Sequence, residues 1–452
     1  MADIQDDVSV LSQSLTLPCG ITIKNRIAKA PLTDFIADAR DNLPNERVFT
    51  VYSRWARSGC GLIVTGNVMV DKAHLEARRN VSLVAGQESR LDLYIRFAKA
   101  CKESGCTAIM QLNHGGLETP YAVNKTPKVA VSVSSISKHM FGTHPVAMSL
   151  AEVHQVRHAF LFASKVAEKS GFDGVQIHSA DLFLLGEFLN PPNARHDEYG
   201  GALDNRMRLL REILHGIRLN CPKLAISVKI NSTDYQRINA PDEDILSILK
   251  MLESRIDLLE VSGGSYESEA SVEKGHREST VKRERYFLDF IKLVRQHVKI
   301  PLMVTGGFRT RSVMASVVRS GLTDLVGIGR PFCLYPELPQ ILLARNAICD
   351  YTVPDSKHDW NKMPSIESFW YSGQIQRMAD GLNPDEDLST SFYALVWTPL
   401  HYICEPSTTF PTSVIWNVVW PITPEDTWLH NQLYLGLGAV VLYVTYRHLS
   451  RP

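Results

Sequence analysis

The chain has 452 residues, 44% of them hydrophobic and 21% charged, and its 48 basic residues balance 48 acidic ones. This is the profile of a folded globular protein, long enough for one barrel-sized domain with an appendage or for two to three smaller domains. The neutral balance excludes the basic excess of a nucleic-acid binder, and the eight cysteines form no C-x-x-C pair, so no zinc or iron–sulfur site is expected.

The opening stretch "MADIQDDVSV" is acidic and polar, unlike a secretory signal or a basic transit peptide. Together with free cysteines it predicts a cytoplasmic location. From about residue 20 to residue 335, eight short apolar runs follow: "RIAKAPLT", "GLIVTGN", "AIMQLNH", "GVQIHS", "AISVKIN", "LLEVSGG", "PLMVTGG" and "LVGIGRP". Each is of strand length and rich in Val, Ile and Leu without alternation, the signature of parallel strands buried on both faces. Between several of them lie helix-spaced stretches such as "EVHQVRHAFLFASKVAEKSG", with Gly171 as a stop. Strand and helix alternating eight times predict an α/β fold, a (β/α)8 TIM barrel. The longer polar insertion, residues 119–149, follows the third strand, where barrels grow loops over the active site.

In such a barrel the catalytic groups sit at the C-terminal strand ends. Gly66, Gln111, His178, Lys229, the stretch 262–264, Gly306, Gly307, Gly329 and Arg330 all fall there and converge on one rim. Glycines after the last two strands admit a phosphate to the backbone, and Arg330 adds a bidentate fork; tight βα turns want glycine in any case. Gln111 can meet a planar heterocycle through donor and acceptor, or be a satisfied rim amide. Lys229 calls for an anion in the barrel mouth, whether a ligand or a nearby carboxylate. Thr33 can offer its hydroxyl to the same ring or bond locally. His178, three residues before Asp181, reads as a catalytic candidate, although a lone histidine beside an apolar run is often structural.

After the eighth run, "FWYSGQIQRMADGLNPD" has helical spacing. The chain then ends in an uncharged run, Leu433 to Tyr446, flanked by Trp420 and Trp428 and followed by Arg447, His448 and Arg451. Two readings stay open for it: a buried terminal helix, or membrane association through residues 428–446.

The stretches "IKNRIAKAPLT", "IMQLNHGG", "GFDGVQIHSADLFLLGEFLNPPNARHDEYGGALDNRMR", "SVKIN", "VSGGSYE", "VTGGFRT" and "GIGRPF" resemble, in order, the old yellow enzyme family of FMN-dependent oxidoreductases and ene-reductases, in its fungal form. The resemblance implies residues 1–345 as an FMN-binding barrel. Residues 346–385 follow as a helical element packed on it, and 386–452 as a C-terminal extension. It implies Ala30, Pro31, Leu32 and Thr33 along the flavin ring, with Thr33 at its carbonyl. Gly66 and Gln111 would meet the ring, Lys229 its N1/O2 side, and Gly306, Gly307, Gly329 and Arg330 the phosphate. NADH or NADPH would supply hydride, and the flavin would reduce an activated alkene.

Two positions depart from that pattern. The family's substrate-binding pair is His with His or Asn three residues on, and here the partner is Asp181, which as a carboxylate only accepts hydrogen bonds. It could act protonated, or by holding His178 as a cation. The family's proton donor, a tyrosine two residues further, is here Phe183. Tyr266 or solvent is the substitute, and Phe35 completes the expected substrate contacts. The catalytic set is then His178, Asp181 and Thr33, acting on a specialised small molecule. The alternative is a non-redox isomerase, cyclase or ligand-binding protein on the same scaffold. Assembly into a homo-oligomer is left open.

Overall fold

Each apolar run pairs in parallel with the next, and the eighth returns to the first. The computed structural model describes residues 8–120, 123–124, 126–130, 145–191, 193, 195–232, 234, 242–263, 278–344 and 364–388. Its barrel strands are β1 (Ile27–Lys29), β2 (Leu62–Val64), β3 (Thr107–Asn113), β4 (Gly174–His178), β5 (Ala225–Asn231), β6 (Leu258–Ser262), β7 (Leu302–Thr305) and β8 (Leu325–Ile328). Val326 of β8 partners Ile27 of β1, and Gln111 of β3 partners Gln176 of β4. The eight strands therefore close into a barrel. All seven residues of β3 and all five of β4 are buried, which is why these runs do not alternate.

The principal helices are α1 (Glu46–Arg57), α2 (Leu91–Cys101), α3 (Leu150–Lys169), α4 (Arg208–Asn220), α5 (Asp242–Glu253), α6 (Glu278–His297) and α7 (Arg311–Arg319). Ser149 starts α3 with a reciprocal capping box to Glu152. Gly171 stands just beyond its end at φ 87°, where a side chain would be strained. Helix faces carrying Phe49, Trp55, Phe97, Phe160, Ile213 and Phe290 pack on the outside of the sheet.

Inside the barrel the filling has two characters. Near the N-terminal mouth, Ala28, Leu62, Val64, Ile109, Ala225, Leu258, Met303 and Leu325 form an apolar plug. Leu17 and Ile23, from a hairpin of Leu15–Thr16 with Thr22–Ile23, cover it from below. Towards the C-terminal rim the filling turns polar, and there the candidate site begins.

After β8 a short helix, Pro331–Leu334, and a further turn, Leu338–Leu342, lead away from the barrel. Helix α8 (Pro364–Ala379) then packs back against α1 and the Pro331–Leu334 helix. Its Trp370 is fully buried, and Gln376 donates to the carbonyl of Phe35 at 2.7 Å. Among the described residues no helix is long and apolar enough to cross a membrane. Residues 428–446, and Tyr266, lie outside the described residues.

Candidate active site

His178 is the last residue of β4, paired in register with Lys229 of β5, so both side chains leave the sheet on one face. His178 is buried, and its Nδ1 has no hydrogen-bond partner. Burial first, and then the Lys229 ammonium, hold its imidazole well below the usual histidine range. It is therefore a neutral ring. The expected alternative of a His178 cation held by Asp181 is corrected here. Removing an imidazolium from water is too costly, and no hydrogen bond joins the two residues.

Asp181 instead stands in a left-handed turn at φ 58°, a conformation aspartate tolerates. Its amide donates to Asp234 Oδ2 at 2.5 Å, and its Oδ1 accepts from Asn231 Nδ2 at 2.8 Å. Phe183 is buried with its ring edge-on to His178, centroids 4.5 Å apart at 67°. The position where a tyrosine was the expected acid thus carries a phenyl ring packed on the histidine.

On the opposite side of the mouth, the Thr33 hydroxyl donates to both oxygens of Glu76 at 2.9 Å. Asn67 Nδ2 donates to the same carboxyl at 2.7 Å. Burial pushes Glu76 above the usual glutamate range, against the pull of these hydrogen bonds. Behind them the Gly66 amide donates to Tyr52 Oη at 2.7 Å, and Tyr52 donates to Asp34 Oδ2 at 2.8 Å. A Cβ on Gly66 would strike the carbonyl of Leu32, so only glycine lets the ends of β1 and β2 approach this closely. Ala30 is buried, Pro31 and Leu32 are half-buried, and Leu32 and Phe35 line the adjoining cavity.

Under this mouth lies the polar layer. Gln111 Nε2 donates to Gln176 Oε1 at 2.8 Å, Gln176 Nε2 to Glu260 Oε2 at 2.8 Å, and Thr305 Oγ1 to Glu260 Oε1 at 2.8 Å. Glu260 is fully buried. The chain fixes the Gln111 amide with its nitrogen turned to Gln176, which leaves its carbonyl oxygen as an acceptor. Gly327 makes room for Thr305, whose hydroxyl a Cβ there would meet.

The glycines after β7 adopt positive φ, 145° at Gly306 and 64° at Gly307. Arg330, exposed after β8, is ion-paired with Glu367 of α8. A cavity of about 320 Å³ lies between the end of β1 and Arg330, lined among others by Leu32, Thr33, Phe35, Glu76, Arg330 and Glu367. Helix α8 is thus one of its walls as well as packing.

A family model described as the NADH:flavin oxidoreductase / NADH oxidase family matches residues 15–345. The chain belongs to that family. It is 31% identical over 363 residues to an NADH-dependent flavin oxidoreductase (iliE) of Hypocrea jecorina, covering 75% of this chain and 90% of that one. It is 30% identical over 421 residues to an NADH-dependent flavin oxidoreductase (iccE) of Talaromyces variabilis, covering 84% and 99%. Among solved structures it resembles an old yellow enzyme homologue from Zymomonas mobilis, with a TM-score of 0.63 at 25% identity, covering 75% of this chain and 94% of that one. Such a family member is an FMN-dependent enzyme that takes electrons from NADH or NADPH. The closed eight-stranded barrel agrees with the fold of these neighbours.

The residues present fit that cofactor. The two positive-φ glycines after β7, the guanidinium after β8 and the buried, unpartnered Nδ1 of His178 suit such a group. Sequence reasoning missed Glu76, Gln176, Asn231, Glu260 and Glu367. For Gln176 and Glu260 a signal existed, because each is a lone polar residue inside an apolar strand, and such a residue in a closed barrel faces other strands.

Proposed function

We propose that these rim residues hold FMN across the strand ends and that the oxidising substrate is a specialised small molecule with an activated alkene. Ala30, Pro31, Leu32, Thr33 and Gly66 flank the ring, Gln111 and Lys229 meet its polar edge, and Gly306, Gly307, Gly329 and Arg330 take the phosphate. When bound, the flavin supplies the redox chemistry, taking hydride from NADH or NADPH and passing it to the alkene.

The protein's own side chains orient the substrate. Neutral His178 offers one ring nitrogen to the carbonyl or nitro oxygen on which charge develops. Asp181, as a carboxylate, accepts hydrogen bonds and donates none, so it selects a substrate with a hydroxyl or ammonium group. Phe183 gives no proton, and solvent delivers it to the carbon. The observation that carries this reading is the unpartnered, buried Nδ1 of His178 beside Phe183.

Anaerobic reduction by NADH or NADPH, followed by reoxidation with a panel of activated alkenes, tests it. Alkenes bearing a hydroxyl or amine are expected to reoxidise the flavin at least tenfold faster than unsubstituted cyclic enones. Equal rates across the panel would overturn the role given to Asp181.

A further inference from the structure

A second cluster of titratable groups lies outside the cavity just described. Asp71 follows the short strand Val68–Met69, His74 closes the turn Lys72–His74, and His114 follows β3. Asp71 Oδ1 caps that turn by accepting from the Ala73 amide at 2.8 Å. Its Oδ2 faces two imidazoles, His74 Nδ1 at 2.8 Å and His114 Nε2 at 3.6 Å. The rings are stacked, with centroids 4.4 Å apart. His114 Nδ1 accepts from the Gly116 amide at 3.2 Å, which turns Nε2 towards Asp71. That Nε2 is fully buried and has no hydrogen-bond partner. Beside the trio is a cavity of about 190 Å³, whose wall includes Lys128 and Glu152, ion-paired at 3.0 Å.

We propose that Asp71, His74 and His114 form a binding site for a first-row divalent cation such as zinc, with a further coordination position open to this cavity. Two imidazoles and one carboxylate suit zinc, cobalt or nickel, whereas calcium and magnesium prefer all-oxygen sets. At metal–ligand distances of about 2.0–2.1 Å, neighbouring donors of a tetrahedral site stand about 3.4 Å apart. His114 Nε2 and Asp71 Oδ2 are already near that spacing, and all three donors lie within 4.8 Å of one another. As plain polar packing the trio satisfies His74 but strands the second imidazole nitrogen.

Both histidines have to adjust, because each carries its single ring proton on the nitrogen that faces Asp71. The proton on His74 Nδ1 moves to Nε2 and that on His114 Nε2 moves to Nδ1, so each ring stays neutral and frees one lone pair for the cation. The Lys128 amide, which donates to His74 Nε2 at 2.8 Å, and the Gly116 amide, which donates to His114 Nδ1 at 3.2 Å, then turn away. Lys128 belongs to a strand of two residues, Lys128–Val129, and Gly116 to a three-residue turn, Gly116–Glu118, so little pairing is disturbed.

The test uses the full-length, flavin-loaded protein, stripped with a chelator and titrated calorimetrically with zinc chloride. One zinc per chain is expected. His114→Gln and Asp71→Asn should each weaken binding at least tenfold, while His215→Ala, at an exposed position of α4, should leave it unchanged. Absence of stoichiometric uptake, or uptake that survives both variants, overturns the proposal. Should the variants fail to fold, zinc-edge X-ray absorption of the native protein decides. Two imidazole nitrogens with a carboxylate oxygen support the site, and a sulfur or all-water shell overturns it.

Discussion

The hydroxyl of Thr33 gives its proton to Glu76, with both carboxylate oxygens at 2.9 Å. A hydroxyl committed this way turns its lone pairs, and no proton, to the cavity. The resemblance puts Thr33 at the flavin carbonyl, and in this structure its hydroxyl proton is given to Glu76. With FMN held as proposed, a carboxylate at Glu76 would disfavour added electrons on the ring. Glu76→Gln is expected to raise the flavin midpoint potential by roughly 20 mV at alkaline pH, equivalent to about 1 kcal/mol for a two-electron couple. The shift should shrink towards acid pH, because burial already favours the protonated form of Glu76. Spectroelectrochemical titration across pH would read this, and a flat, unchanged potential would separate Glu76 from the ring.

Asp181 is held by Asn231, and its left-handed turn accepts asparagine equally well. Asp181→Asn adds a donor towards the substrate without new strain. Turnover of simple cyclic enones should rise about tenfold, the equivalent of about 1.4 kcal/mol in the barrier, and turnover of hydroxyl- or amine-bearing substrates should fall. Steady-state kinetics of both classes on wild type and variant check it. Because His178 stays neutral, neither profile should show an imidazole titration between about pH 5 and 8.

Gly66→Ala places a methyl group against the Leu32 carbonyl and close to the Asp34 carboxyl. The cost of such overpacking is about 1–3 kcal/mol, and it falls on the turn proposed to flank the ring. The purified variant is expected to retain barrel circular dichroism and to bind FMN at least tenfold more weakly. Fluorescence quenching of added FMN would measure this, and unchanged affinity would mean the turn does not meet the ring.

Glu187 ties three segments together, accepting from the amides of Leu117 at 2.8 Å and Ala130 at 2.9 Å. Burial pushes its carboxyl up to about 8, against about 4.3 for a free glutamate. Between those values the unfolded chain has released a proton that the folded chain keeps. Stability therefore falls as pH rises through the window, by at most about 1.4 kcal/mol per unit. Glu187→Gln should flatten that slope in denaturant titrations between about pH 5 and 8 while lowering stability at the acid end by about 1 kcal/mol. An identical slope in the variant would assign the dependence to other groups.

The barrel was legible because strands buried on both faces cannot alternate, so "AIMQLNH" and "GVQIHS" declare themselves without neighbours. The rim was legible because the fold puts strand ends there, which located His178, Lys229 and the glycines together. The partners of those residues were not legible. Thr33 and Glu76, Gln176 and Glu260, and Arg330 and Glu367 are each joined only by closure of the barrel or docking of α8. Nothing in the spacing of Asp71, His74 and His114 marks them either, since two of the three come from separate strand ends. The cysteines, which do attract attention, gave no hint of this cluster.

The wall that α8 contributes to the larger cavity has a consequence for biosynthesis. A ribosome releases β8 and Arg330 before residues 364–379, so the nascent barrel can close while this side of the cavity still stands open. An anion arriving then meets a guanidinium without Glu367 beside it. Once α8 docks, the same guanidinium is shared and the opening is narrowed. A ligand taken up before α8 docks would therefore enter through a wider opening than the one left for its escape.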